Sequence, residues 1–143
     1  MKAVDTNVLV YAEIVSLPNH QTAKALLKKL VEGPERWAIP WPCVYEFLRV
    51  VTHPRVFHPP VPLEVARRDL NAVLGSPTLF LLSETARHGE ILNQLLEVSG
   101  ATGNLVHDAH IAALCLEHGV SELITGDRDF HRFKSIKISN PFT

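Results

Sequence analysis

Several things are scarce in this sequence, and each scarcity excludes something. Its 143 residues contain only two cysteines, Cys43 and Cys115. Both sit in apolar surroundings, and neither belongs to a CxxC motif. A disulfide framework and a cysteine-rich zinc module are therefore excluded. Both thiols are expected to be reduced and buried, as in a cytoplasmic protein. Charge of one sign is also lacking: 14 Lys and Arg face 15 Asp and Glu, for a net charge of −1. Composition alone thus excludes a strongly basic nucleic-acid binder. Any nucleic acid must be held by a local basic patch or through metal ions. Long hydrophobic runs are missing as well. The longest, Val8 to Ala12 and Ile111 to Leu116, fall far short of the roughly 20 residues that cross a bilayer. Asp5 interrupts the start of the chain where a secretory leader would need apolar length. No membrane association and a cytoplasmic location are expected. There is no internal repeat, no low-complexity tract and no HExxH motif.

What remains is ordinary globular material, 46% hydrophobic and 20% charged. That suffices for one core, and residues 1–143 are expected to form a single domain. A short strand is expected at Lys2 to Asp5, then a helix from Thr6 and Asn7 that breaks at Pro18-Asn19. Asn19 is a candidate N-cap for a helix carrying Ala23, Leu26, Leu27, Leu30 and Val31 at helical spacing. The Leu26, Leu27 and Leu30 face suits either the core or a dimer surface. Trp37 to Ile39 reads as a strand and Cys43 to Val51 as a helix. The segment His53 to Pro62 holds four prolines and reads as a loop. Pro62 then opens a helix to Leu74. Leu79 to Leu82 reads as a strand and Glu84 to Val98 as a helix. A helix capped by Asn104 runs towards Gly119. Leu123 to Thr125 is a strand, Asp127 to Phe133 a short helix or turn, and Ile136 to Ile138 a last strand. Alternating strands and helices predict an α/β fold with three layers and a mostly parallel central sheet of four to five strands. In such sheets ligands bind beyond the carboxyl ends of the strands.

Four acids attract attention. Asp5 and Asp127 each come after a predicted strand and precede a helix or turn. Each can simply cap that next element, an interaction worth about 1 kcal/mol. Glu46 lies among Val44, Tyr45, Phe47 and Leu48 on an otherwise apolar helix. It needs a partner there: Arg49 at i,i+3, or a cation in a cleft. Asp108 lies in the first turns of an apolar helix, where the helix dipole favours it. It shares a face with Asn104. Gathering such carboxylates is costly because each raises the pKa of the others. A hard, oxygen-seeking cation removes that cost, and Mg²⁺ suits the donors. Such a site serves phosphodiester hydrolysis.

The motifs together resemble the PIN domain, and more closely the VapC-type toxins of prokaryotic toxin–antitoxin pairs. They are Val4-Asp5-Thr6-Asn7, Val44-Tyr45-Glu46-Phe47-Leu48, Asn104-Leu105-Val106-His107-Asp108-Ala109-His110 and Thr125-Gly126-Asp127-Arg128-Asp129-Phe130. They occur in the family's order and with roughly its spacing, across essentially the whole chain. The resemblance implies a PIN-like fold and an endoribonuclease dependent on Mg²⁺ or Mn²⁺. It implies Asp5, Glu46, Asp108 and Asp127 as catalytic and metal-holding acids, with Asn7, Asn104 and Thr125 as polar supports and Asp129 at the rim. It further implies an RNA substrate, a homodimer and a cognate antitoxin whose tail enters the cleft.

For substrate grip, Arg128, His131 and Arg132 lie close enough after Asp127 to contact phosphate, unless they are a solvated turn. Arg49 is either the partner of Glu46 or a phosphate contact. His107 and His110, which flank Asp108, read as surface or rim residues. Trp37 and Trp41 read as core or interface residues more than as base-stacking platforms. Three rivals stand beside this reading. A non-catalytic PIN-like module that holds RNA or protein is opposed by the complete acid set. An aspartyl-phosphate hydrolase needs a second Asp two residues after the first, where Asn7 stands, and a receiver-like domain needs a phosphoacceptor Asp on a middle strand, where none stands ready. A structure-specific DNA nuclease would need duplex-binding parts for which the chain is short.

Overall fold

The computed structural model describes residues 1–143. Five strands form one sheet: β1 (Lys2–Val4), β2 (Trp37–Pro40), β3 (Leu79–Leu82), β4 (Glu122–Ile124) and β5 (Ile138–Ser139). Six helices flank it: α1 (Thr6–Glu13), α2 (His20–Glu32), α3 (Trp41–Val51), α4 (Leu63–Leu74), α5 (His88–Ser99) and α6 (Leu105–Glu117). A 3₁₀ turn spans Arg128–Arg132. The strand order is β3-β2-β1-β4-β5, and every pairing is parallel. The expected α/β fold with a parallel sheet is therefore present.

The apolar strands explain the layering. Trp37, Ala38 and Ile39 on β2, and Ala3 and Val4 on β1, have no solvent exposure. Strands buried on both faces need helices on both. Right-handed crossovers carry the chain outward from β1 through β2 to β3, then back past β1 to β4. The reversal puts α1 to α4 on one face and α5 and α6 on the other. The packing agrees: α1 lies on α2 and α3, α3 on α4, and α5 on α6. One cluster of 31 buried residues runs through these layers. Leu27 is buried within it, and Leu26 and Leu30 pack against it, so this face of α2 serves the core. Trp37 is core too, its indole N–H donating to the Ser76 hydroxyl at 3.2 Å.

Some boundaries differ from those expected, for physical reasons. α3 begins at Trp41, before Cys43, because Pro42 falls in the first turn, where its missing N–H is not needed. Asn19 and Asn104 precede their helices but make no side-chain cap bond. α5 begins at His88 instead of Glu84. The segment between β3 and α5 is held out of the helix by Glu117, which accepts from both the amide and the hydroxyl of Thr85, at 2.9 and 2.8 Å. β5 is shifted to Ile138–Ser139 by its pairing with Leu123 and Ile124. Ile136 instead closes a turn on Phe133 and is buried.

The strand order places the site. The chain leaves β1 in one direction and reaches β4 in the other, so the crevice between their carboxyl ends is a topological switch point. Asp5 comes directly after β1 and Thr125 directly after β4, and the Asp5 amide donates to the Ile124 carbonyl at 3.0 Å.

Candidate active site

Asp5 is 4% exposed and both of its carboxylate oxygens are engaged. Oδ1 accepts from the Thr6 amide at 2.8 Å and from the Cys43 thiol at 3.6 Å. Oδ2 accepts from the Thr125 hydroxyl at 2.7 Å and from the Asn7 amide nitrogen at 3.0 Å. Asp5 is thus the N-cap of α1 and also ties α1 to β4. Burial pushes its carboxyl above the ordinary 3.8, opposed by the bonds from Thr125 and Thr6, with Glu46 adding to the rise. Burial also raises the Cys43 thiol, and the charge of Asp5 adds to it. This thiol is an inert neighbour of the site.

Thr125 and Asn7 form the scaffold around Asp5. The Thr125 hydroxyl accepts from the Asn7 amide nitrogen at 3.0 Å and from the Asp127 backbone N–H at 3.0 Å. The side-chain oxygen of Asn7 accepts from the Gly126 N–H at 3.0 Å. A Cβ at Gly126 would lie 3.0 Å from the Phe142 ring, a tight contact that the ring would have to relieve by a few tenths of an ångström. Asp127 in turn caps the 3₁₀ turn, accepting from the Asp129 N–H at 2.9 Å.

Asp5, Glu46, Asp108 and Asp127 line one pocket of about 390 Å³. Glu46, Asp108 and Asp127 also border an open cleft of about 1010 Å³. Within it, one carboxylate oxygen from each of Asp108, Asp127 and Asp129 lies within 4.8 Å of the others. Burial, then the charges of Asp127 and Asp5, pushes the Asp108 carboxyl up to about 7. This is the crowding that a hard cation relieves. Three carboxylates on a polar cleft fit an oxygen-preferring divalent ion. Asp129, expected at the rim, is one of the three.

Glu46 meets a different partner from the one its helix suggested. Its Oε2 pairs with Nε2 of His107 on α6, and no ion pair with Arg49 forms. The bond from His107 holds the Glu46 carboxyl below its ordinary value against burial. The same bond raises the imidazole, with burial opposing it. His107 is therefore part of the site, although spacing along the sequence marked it only as a rim residue. No local signal identifies it, because the pairing joins two helices far apart in the chain.

The predicted substrate contacts divide. Arg49 and Asn104 border the cleft. Arg132 does not: its guanidinium donates to the Ser99 carbonyl at 3.4 Å and lines a separate cavity beside α5. The 3₁₀ turn rotates it away from Asp127. Arg128 is exposed and outside the cleft lining. Trp41 borders the cleft and stacks on Tyr45 with ring centroids 6.0 Å apart. The Tyr45 ring is left exposed.

A parallel sheet with an acid cluster at its switch point defines the class. The chain matches the PIN domain over residues 2–136 and belongs to that family. It is 36% identical over 141 residues to Ribonuclease VapC37 of Mycobacterium tuberculosis, covering 99% of this chain and 97% of the relative. It is 34% identical over 139 residues to Ribonuclease VapC48 of the same species, covering 97% and 96%. Among solved structures it is similar to VapBC2 from Rickettsia felis bound to a DNA fragment from their promoter. That likeness has a TM-score of 0.69, 22% identity and coverage of 97% of each chain. It is also similar to Mycobacterium tuberculosis VapC20, described as a sarcin-ricin loop cleaving toxin. There the TM-score is 0.67 and the identity 18%, with 92% and 93% covered. At those identities the structural likeness establishes the fold. No helix is long and apolar enough to cross a membrane.

Proposed function

We propose that this chain is a divalent-metal-dependent endoribonuclease acting as the toxin of a VapBC-type pair. The observation that carries the reading is the acid set of Asp5, Glu46, Asp108 and Asp127 around one cavity. Relatives named ribonucleases, 34 to 36% identical over nearly the whole length, support it.

Asp108 and Asp127, with Asp129, are the residues that would hold Mg²⁺ or Mn²⁺. A bound ion would supply positive charge to the scissile phosphate and to the leaving oxygen. Asp5 contributes charge from below while its hydrogen bonds lock β1, α1 and β4 in register. Thr125 and Asn7 orient it. The Glu46–His107 pair closes the wall between α3 and α6. Arg49 and Asn104 meet phosphate and sugar oxygens of the strand, and the Trp41–Tyr45 stack offers a surface for a base. Stacking of that kind is worth about 1–3 kcal/mol per base. A cognate antitoxin and a second copy of the chain are the proposed protein partners, in the cytoplasm.

The test incubates the purified protein with matched RNA and DNA oligonucleotides in Mg²⁺, Mn²⁺ or chelator. Cleavage of RNA that needs metal and disappears in Asp127→Asn is the expected result. Equal cleavage by wild type and variant would assign the activity to a contaminant. The chain would then be a non-catalytic PIN-like module that binds RNA or protein. Light scattering of the chain, alone and coexpressed with a small neighbouring gene product, reads the assembly.

A further inference from the structure

A second group of potential ligands lies at the edge of the cleft, and the proposed nuclease chemistry does not use it. It consists of Glu84, in the segment between β3 and α5, His88 on the first turn of α5, and His110 on α6. One donor atom from each lies within 4.8 Å of the others. The His110 Nε2 and Glu84 Oε1 are 2.7 Å apart, and the two imidazole rings meet edge to face with centroids 5.3 Å apart.

The surroundings hold these groups in place. The Nδ1 of His88 is bonded to Glu117 Oε2 at 2.6 Å. The Glu117 side chain has no solvent exposure, and its other oxygen is taken by Thr85. Metal-binding histidines are commonly oriented by a carboxylate on the second ring nitrogen. With Nδ1 so engaged, Nε2 is the nitrogen of His88 left for a cation. On the other flank, His118 Nε2 bonds the Ser83 carbonyl at 2.7 Å. Glu84 therefore sits between two anchors, Ser83 and Thr85, both fastened to the end of α6. Ordinary surface ion pairs do not require a fully buried carboxylate behind one imidazole.

We propose that Glu84, His88 and His110 form a transition-metal site at the cleft edge, distinct from the aspartate cluster, with Zn²⁺ as the ion that fits. Two imidazoles and one carboxylate suit a borderline cation and are poor donors for Mg²⁺. Three protein donors leave a coordination position open. Glu84 and His110 both border the cleft, which puts the site at its edge. Occupancy fastens the segment before α5 to α6.

The test titrates Zn²⁺ into the full chain carrying Asp127→Asn, which disables the aspartate cluster, and reads binding by calorimetry. One Zn²⁺ per chain is expected, undisturbed by excess Mg²⁺. Adding His88→Gln or His110→Gln should weaken it about tenfold or more. Unchanged affinity in both histidine variants, or no binding in Asp127→Asn, would overturn the proposal. Because a variant can lose its fold, Co²⁺ is also added to the Asp127→Asn chain. An intense visible band without thiolate charge transfer supports the site, since both cysteines are buried elsewhere. A weak octahedral spectrum or a thiolate band overturns it.

Discussion

Glu46 on α3 and His107 on α6 face each other as carboxylate and imidazole where the cleft and the smaller pocket beside it share a lining. The pairing lowers one pKa and raises the other, so its worth depends on pH in both directions. The carboxylate's share is present above its ordinary 4.5 and is lost as pH falls through the lowered value. The imidazole's share is present below its ordinary 6.5 and is lost as pH rises through the raised value. The pair therefore contributes most between those two ordinary values. The imidazole side chain is 40% exposed, which limits the coupling to about 0.5–1 kcal/mol. A double-mutant cycle with Glu46→Gln and His107→Gln, in chelator, should show coupling that is greatest between 4.5 and 6.5 and falls away on both sides when followed from acid to alkaline pH. Flat coupling across that range would contradict the pairing.

Asp108 should be a liability without metal. Its carboxyl titrates at about 7 when folded and near 3.8 otherwise. The associated stability is present below the lower value and lost as pH rises through the higher one. Asp108→Asn should therefore stabilise the metal-free protein at pH 8 by about 1–2 kcal/mol, well under the full shift because solvent reaches the group. The gain should vanish near pH 4. Mn²⁺ should raise the melting temperature of the wild type and not that of the variant. An Asp108→Asn protein that melts far below wild type would make this residue structural.

Thr125 donates to Asp5 and accepts from Asn7 and from the Asp127 amide. Thr125→Val keeps the shape and removes all three bonds. A buried carboxylate that loses a donor costs about 1–3 kcal/mol. Urea unfolding at pH 7 should show a loss of that size, together with reduced RNA cleavage. A change below 0.5 kcal/mol, about the background of neutral surface substitutions, would contradict the scaffold role.

Away from the cleft, Glu13 on α1 is pushed up to about 7 by burial and then by the Asp69 carboxyl on α4, with Arg68 opposing. Stability tied to this group is present below 4.5 and lost as pH rises through 7. Glu13→Gln should stabilise the protein above pH 7 by about 1 kcal/mol, after allowance for solvent screening. It should make no difference at pH 4. A denaturant series at several pH values reads both.

Some of the site could be read from the sequence and some could not. Asp5 and Asp127 stand after β-type apolar runs, so strand-end placement alone puts them on one sheet edge. Asn104 and Asp108 share a helical face by spacing. The burial of Glu46 on an apolar helix announces a need for a partner, but helical spacing sees only that helix and points to Arg49. The actual partner, His107, arrives through tertiary packing. The turn that carries Arg132 away from the cleft is likewise set by Phe130 and Phe133, which bury themselves beneath it. Glu84 falls outside α5 because Glu117, distant in sequence, captures Thr85. Such side-chain-to-backbone capture leaves no periodic trace.

The four donors around Asp5 make it a keystone shared by architecture and chemistry. Replacing it disturbs the junction of β1, α1 and β4 as well as the charge beneath the cleft, so an inactive Asp5 variant cannot say which was lost. Asp127 spends one oxygen on a short turn at the surface, and there a lost reaction can be separated from a damaged scaffold.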